Sequence, residues 1–76
     1  MPQRYRPQEV VRVLEYLGWK LDRQRGSHAI LNKAGQPGVV AVPLSRREVP
    51  VGTFSEILRE AGLTRREFDA AAREVL

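Results

Sequence analysis

The residue best suited to chemistry in this sequence is its single histidine, His28, which directly follows Arg25, Gly26 and Ser27. Imidazole is the only side chain whose ordinary ionisation falls near neutral pH, so it can accept or donate protons there. The neighbouring Arg25 and Arg23 carry planar guanidinium groups, which bind phosphate oxygens in pairs. This segment predicts acid–base chemistry on an anionic substrate, although a lone histidine in a small domain is more often structural.

The positive charge of the chain is concentrated in its middle. Thirteen Lys and Arg against nine Asp and Glu give a formal net charge of +4. Between residues 20 and 47 the single acid is Asp22, whereas the basic residues are Lys20, Arg23, Arg25, Lys33, Arg46 and Arg47. This distribution favours a polyanionic partner, and the alternative is an ordinary solvated charged surface.

Length and composition predict one soluble, cytoplasmic domain spanning residues 1–76. The chain has no cysteine, so neither a disulfide framework nor a thiolate metal site can form. One histidine with Asp22 and Asp69 matches no recognised spacing of metal ligands, and we expect no metal and no cofactor. The longest apolar run, residues 39–42, is far too short to span a membrane, so no membrane partner is expected.

An amphipathic helix is predicted near the start of the chain, after a loose tail at residues 1–6. Pro7 suits the first helical position, Glu9 places a carboxylate in the first turn, and Gly18 ends the helix. The apolar residues at helical spacing are Val10, Val13, Leu14 and Leu17. Trp19 is expected to pack back onto Leu14 as a core residue.

Three extended segments follow, at residues 19–22, 28–32 and 39–42. The break at residues 25–27 predicts a hairpin, and Pro43 ends the third strand. In the second strand, the period of two places His28, Ile30 and Asn32 on one face of the sheet. Gly26 by itself is weak evidence for a phosphate cradle, because an ordinary hairpin turn also needs glycine.

A basic loop at residues 45–52 is followed by two short helices. Thr53 and Glu56 predict a capping pair for the first of them, which Gly62 ends. Thr64 and Glu67 predict a second capping pair for the last helix. The order α-β-β-β-α-α defines an α+β fold with a three-stranded antiparallel sheet, whose one face is covered by helices.

Several short motifs occur together in this order, and they resemble the HicA toxin family over about residues 8–68. The motifs are Gly18-Trp19, residues 23–28 ending in Gly-Ser-His, Val42-Pro43-Leu44, Gly52-Thr53, Ile57-Leu58 and Ala61-Gly62-Leu63. The resemblance implies a fold similar to the double-stranded-RNA-binding domain. It also implies an mRNA-cleaving toxin that a cognate HicB antitoxin inhibits, with His28 in the position of the family's catalytic histidine.

Two positions depart from the family pattern. Many members carry a second histidine two residues beyond the strand-ending proline, where this chain has Ser45. Members often have a lysine before the Gly-Thr pair, where this chain has Val51. A mechanism with two histidines is therefore excluded. We expect these departures either to weaken activity or to shift the burden to Arg46 and Arg47.

These residues lead to a mechanistic hypothesis for a metal-independent ribonuclease. His28 is the general base for the ribose 2′-OH, and the general acid has no assigned residue. We expect Lys20, Arg23, Arg25, Arg46 and Arg47 to contact the phosphates, with hydrogen bonds from Gly26 and Ser27. Two other classes stay open, namely a non-catalytic RNA-binding module and an interaction domain for an acidic protein.

Overall fold

The structure is a computed structural model, and it describes residues 4–76. Its elements, in chain order, are α1 (Pro7–Tyr16), β1 (Lys20–Arg25), β2 (His28–Asn32), β3 (Val40–Pro43), α2 (Val51–Ala61) and α3 (Arg65–Val75). The strands form one antiparallel sheet in the order β1-β2-β3. This is the predicted α+β fold in the predicted order, and it is consistent with a double-stranded-RNA-binding-domain-like architecture.

The ends of α1 follow from its sequence as predicted. Pro7 is the first helical residue, and the Glu9 carboxylate accepts a 2.8 Å hydrogen bond from the backbone N–H of Arg6. Gly18 has a φ of 100°, which turns the chain back, and the Trp19 N–H donates to the Leu14 carbonyl at 2.9 Å. Trp19 is 2% exposed, so its predicted place in the core is confirmed.

The start of α2 differs from the sequence prediction. The helix begins at Val51, two residues before Thr53, and the Phe54 N–H donates to the Pro50 carbonyl at 2.8 Å. Pro50 lies in an extended conformation at the N-cap, and its fixed φ prepares this entry without a side-chain cap among the described residues. The predicted capping pair of Thr53 and Glu56 is therefore wrong.

The start of α3 agrees with the prediction. The Glu67 N–H donates to Thr64 Oγ1 at 3.0 Å, and the Thr64 N–H donates to the Glu67 carboxylate at 2.8 Å. These hydrogen bonds stabilise the charged carboxylate and lower the pKa of Glu67, with the backbone bond from Thr64 as the larger cause. The reciprocal pair fixes where α3 begins after the left-handed turn at Gly62.

The predicted loose tail covers residues 1–6, of which residues 1–3 lie outside the described residues. Within residues 4–6, the burial of Tyr5 contradicts the prediction of a loose segment. Tyr5 is 3% exposed, and its hydroxyl donates to Asp69 on α3 at 2.6 Å. Its ring lies 5.6 Å from Phe54 and 5.0 Å from Phe68 between centroids, so it joins α2 to α3. Burial of an aromatic ring is favourable when its hydroxyl has a hydrogen-bond partner. The buried Tyr5 therefore anchors this segment.

The core lies between the helices and one face of the sheet. Helix α1 packs on β1, β3 and α3, and α2 packs along β3. The sheet contributes Ala29, Leu31, Val40 and Val42 to the core cluster, all from the same face. The opposite face of the sheet is therefore left for function. No helix within residues 4–76 combines the length and the apolar character needed to cross a membrane.

Candidate functional site

His28 is held at the first position of β2 by a two-residue hairpin turn. Arg25 and His28 are paired, with Gly26 and Ser27 between them. Gly26 has a φ of 60°, which a type II′ turn requires at this position, and no described atom lies within 4 Å of where its Cβ would be. Gly26 is therefore explained by the turn conformation, and no close backbone approach requires it.

The pairing register places the basic residues of the hairpin on the same face as His28. Residues directly opposite each other in an antiparallel sheet project to the same side. Arg25 lies opposite His28, and in the adjacent row Arg23 lies opposite Ile30. This face is opposite to the one that contributes Ala29 and Leu31 to the core. His28, Arg23 and Arg25 are all exposed there.

A bulge in β1 decides which of its side chains join this face. Lys20 pairs with Asn32 and Leu21 with Leu31, and the register then shifts so that Arg23 follows on the outer face. In a regular strand, Lys20 and Arg23 would point to opposite faces because side chains alternate. The extra residue, Asp22, therefore brings the cations of β1 onto one side, and its carboxylate pairs with Arg23 at 3.1 Å.

His28 lines a cleft of about 450 Å³ between the outer face of the sheet and α2. The sheet and the following loop supply His28, Ala41, Pro43, Ser45, Arg46 and Pro50, and α2 supplies Thr53, Glu56, Ile57 and Glu60. Ser45, at the position where the resemblance predicts a second histidine in many members, lines the same cleft as His28. The cleft brings together a titratable ring, a guanidinium group and two carboxylates.

The contribution of α2 was missed by sequence reasoning. Thr53, Glu56, Ile57 and Glu60 are spaced as one helical stripe, but Thr53 was interpreted as a cap outside the helix. Glu56 forms an ion pair with Arg59, and Glu60 accepts a 3.4 Å hydrogen bond from the Ala41 N–H at the edge of β3. The α2 wall of the cleft is thus acidic, whereas Arg46 makes the loop wall basic.

The loop that carries Arg46 and Arg47 is attached at both ends. The Leu44 N–H donates to the Ser27 carbonyl at 2.6 Å, which joins the loop to the hairpin turn before His28. Beyond the arginines, Val49 is buried and its N–H donates to the Tyr5 carbonyl at 2.8 Å. These anchors fix the position of the loop backbone relative to His28.

The predicted phosphate-contacting residues do not all meet at one point. Arg25, Gly26, Ser27 and His28 form the hairpin end, and Arg46 shares the cleft with His28. Lys20 lies at the other end of β1, about 15 Å from Arg25 at the usual strand rise. Arg47 lines a neighbouring depression with Arg6, a residue that sequence reasoning did not select. Within residues 4–76, no three His, Cys, Asp or Glu side chains are arranged to hold a metal ion.

Comparison with known families adds an independent finding. Residues 7–63 match the family described as the HicA toxin of bacterial toxin–antitoxin systems. The match covers about three quarters of the chain, including every residue that lines the cleft. No curated protein matches the chain.

Proposed function

The chain belongs to the HicA toxin family of bacterial toxin–antitoxin systems, and from this premise we propose that it is an endoribonuclease that cleaves mRNA with His28 as general base. Membership makes it the toxin of such a system, with a cognate antitoxin as its partner. We propose a HicB-type protein as that antitoxin.

The observation that carries the proposal is the exposure of His28 beside cations on the outer face of the sheet. A ring inside the core, or on the face opposite the arginines, would be incompatible with attack on RNA. Instead, His28 lines the cleft with Arg46, and its cross-strand neighbour is Arg25. Such a site allows a phosphodiester to approach the imidazole while guanidinium groups bind its oxygens.

The proposed reaction uses the nucleophile that RNA itself carries. His28 removes the proton from a ribose 2′-OH, and the 2′ oxygen attacks the adjacent phosphorus. A bond forms between this oxygen and phosphorus while the bond from phosphorus to the 5′ oxygen breaks. The departing oxygen takes up a proton, for which water is the available donor at this exposed site because the chain has no second histidine.

The charge of the two walls defines the path of the phosphodiester. Glu60 on α2 repels a phosphate and Glu56 is paired with Arg59, whereas Arg25 and Arg46 attract a phosphate. We therefore expect the strand to enter over the hairpin and the loop, with its scissile phosphate between Arg25, Arg46 and His28. The negative charge that develops on phosphorus in the transition state is then offset by these guanidinium groups.

Ser45 favours a second candidate function, a non-catalytic RNA-binding module. Ser45 lines the cleft where many relatives have their second imidazole, and serine does not titrate near neutral pH. Under this alternative, the same face binds RNA but does not cleave it. The parent protein and His28→Ala would then both leave the RNA intact.

Cleavage of a defined RNA by purified protein tests the proposal. We expect His28→Ala to lower the rate by about 10²-fold or more, the usual contribution of a general base. Asn32→Ala is the matched control, because Asn32 is exposed on the same strand and face as His28. Circular dichroism of each variant checks that the fold is retained.

The substrate provides a second arm of the same test. A 2′-deoxy substitution at the scissile position removes the nucleophile and should prevent cleavage there while binding continues. Cleavage that persists in His28→Ala, or at the 2′-deoxy position, contradicts the mechanism.

A further inference from the structure

A second depression lies beside the cleft of His28 and shares one residue with it. It encloses about 600 Å³, and its lining residues are Arg6, Gln8, Arg46, Arg47 and Glu48. Arg46 lines both spaces, so the two are neighbours along one surface. His28 lines only the first of them, which leaves the second without a chemical role in the proposed reaction.

Backbone hydrogen bonds bring Arg6 close to Arg46 and Arg47, although these residues come from different parts of the chain. The Val49 N–H bonds to the Tyr5 carbonyl, directly before Arg6. The Arg6 N–H bonds in turn to the Glu9 carboxylate at 2.8 Å. Arg6 is thus brought to the Arg46–Arg47 loop by contacts that do not involve its own side chain.

The chemistry of the depression suits a phosphate group. Three arginines line it against one acidic residue, Glu48, so the formal charge of its lining is positive. The amide of Gln8 adds a neutral hydrogen-bond donor. Guanidinium groups bind phosphate oxygens in pairs, and a polynucleotide presents one phosphate after another at regular intervals.

We propose that Arg6, Arg46 and Arg47 form a second phosphate-binding subsite, which holds a phosphate of the RNA strand next to the one that reacts at His28. The proposal rests on the proposed function for its ligand, single-stranded RNA. The shared residue Arg46 is the reason to prefer RNA over an acidic protein, because a continuous strand must pass from one space to the other. The subsite extends the interface beyond the hairpin and makes binding depend on RNA length.

Binding of uncleavable RNA tests the subsite separately from catalysis. The probes are a fluorescent 2′-O-methyl dinucleotide and a 2′-O-methyl decanucleotide of the same sequence context, titrated at several salt concentrations. We expect Arg6→Ala to weaken decanucleotide binding about tenfold and to reduce the salt slope by about 0.7, the value for one lost phosphate contact on a single strand. Dinucleotide binding should stay unchanged, because it occupies only the space at His28.

Arg66→Ala is the matched control, since it removes the same charge from an exposed position on α3. We expect this variant to bind both probes as the parent protein does. Glu48→Gln provides a change of opposite sign, because it removes the one carboxylate of the depression and should tighten decanucleotide binding.

Equal decanucleotide affinity and salt slope in Arg6→Ala and Arg66→Ala would overturn the proposal. Weaker binding of the purified cognate antitoxin by Arg6→Ala, with unchanged RNA binding, would also overturn it and would assign the surface to a protein partner. Neither result depends on cleavage, so the subsite and the role of His28 can fail independently.

Discussion

Arg25 and His28 lie directly opposite each other across the hairpin and project from the same exposed face of the sheet. Directly opposed residues have Cβ atoms about 4.5–5.5 Å apart, so the guanidinium group and the imidazole can reach the same phosphodiester. The two-residue turn fixes this relationship, because it determines which residues of β1 and β2 are paired.

Arg25→Ala should therefore lower kcat, and kcat/KM with it, for RNA cleavage by about tenfold to hundredfold, the range for a lost charge-assisted contact of about 1.5–3 kcal/mol. Lys20→Ala is the matched control, since Lys20 lies on the same strand and face but at its far end. It should lower RNA affinity without changing kcat. Steady-state kinetics on a defined oligonucleotide measure both effects, and equal losses of kcat in the two variants would contradict the placement of the reacting phosphate.

The hairpin turn gives a second prediction, which concerns stability. Gly26→Ala forces a side chain into a φ of 60° and should reduce the free energy of unfolding by about 1–2 kcal/mol. Gly52→Ala is the contrast, because Gly52 lies in α2, has no positive φ and has open space around its Cβ. It should raise the free energy of unfolding by about 0.5–1 kcal/mol. Urea unfolding measures both changes, and a loss of stability in Gly52→Ala would show that α2 begins later than Val51.

The sequence was sufficient to predict the elements whose signals are local. Gly18 ends α1, and the pair of Thr64 and Glu67 begins α3, through contacts with residues only a few positions away. Both helix boundaries could therefore be predicted from the sequence. The period of two also placed His28 and Asn32 on the same side of β2, which the register confirms.

Features that depend on contacts across the chain could not be predicted. The hydroxyl of buried Tyr5 donates a hydrogen bond to Asp69, which lies sixty-four residues later in the chain. No local pattern of residues predicts that partner. The bulge at Asp22 has no glycine to mark it, so the sequence did not show that Lys20 and Arg23 share a face. Arg6 was missed for the same reason as Tyr5, because only the folded chain brings it to Arg47.

The two threonines that were both interpreted as caps provide a third prediction. Thr64→Ala removes the acceptor of the Glu67 N–H and should cost about 1 kcal/mol of stability, the usual value for an N-cap. Thr53→Ala should change stability by less than about 0.5 kcal/mol, because Thr53 lies inside α2 and caps nothing in the described chain. Thermal and urea unfolding of the two variants compare them directly. Equal losses would show that Thr53 is a cap after all.

The last prediction concerns Tyr5 and alkaline pH. Burial of the Tyr5 ring, reinforced by the hydrogen bond to Asp69 and the charge of that carboxylate, raises the pKa of Tyr5 from 10.0 to about 12. A neutral hydroxyl is thus favoured in the folded protein. Its contribution to stability is complete below about pH 10 and is lost as the pH rises towards about 12, because the unfolded chain loses this proton first.

Tyr5→Phe should lower the free energy of unfolding by about 2 kcal/mol near neutral pH, since it removes a hydrogen bond to a charged group. It should also flatten the decline in stability between about pH 10 and about pH 12. Tyr16→Phe is the matched control, because Tyr16 is 59% exposed, and removal of its hydroxyl should change neither quantity. Urea unfolding of the three proteins across this range measures both. If Tyr5→Phe and the parent protein lost stability equally above pH 10, the Tyr5 hydroxyl would not be held by Asp69, and the N-terminal segment that positions Arg6 would be anchored by ring packing alone.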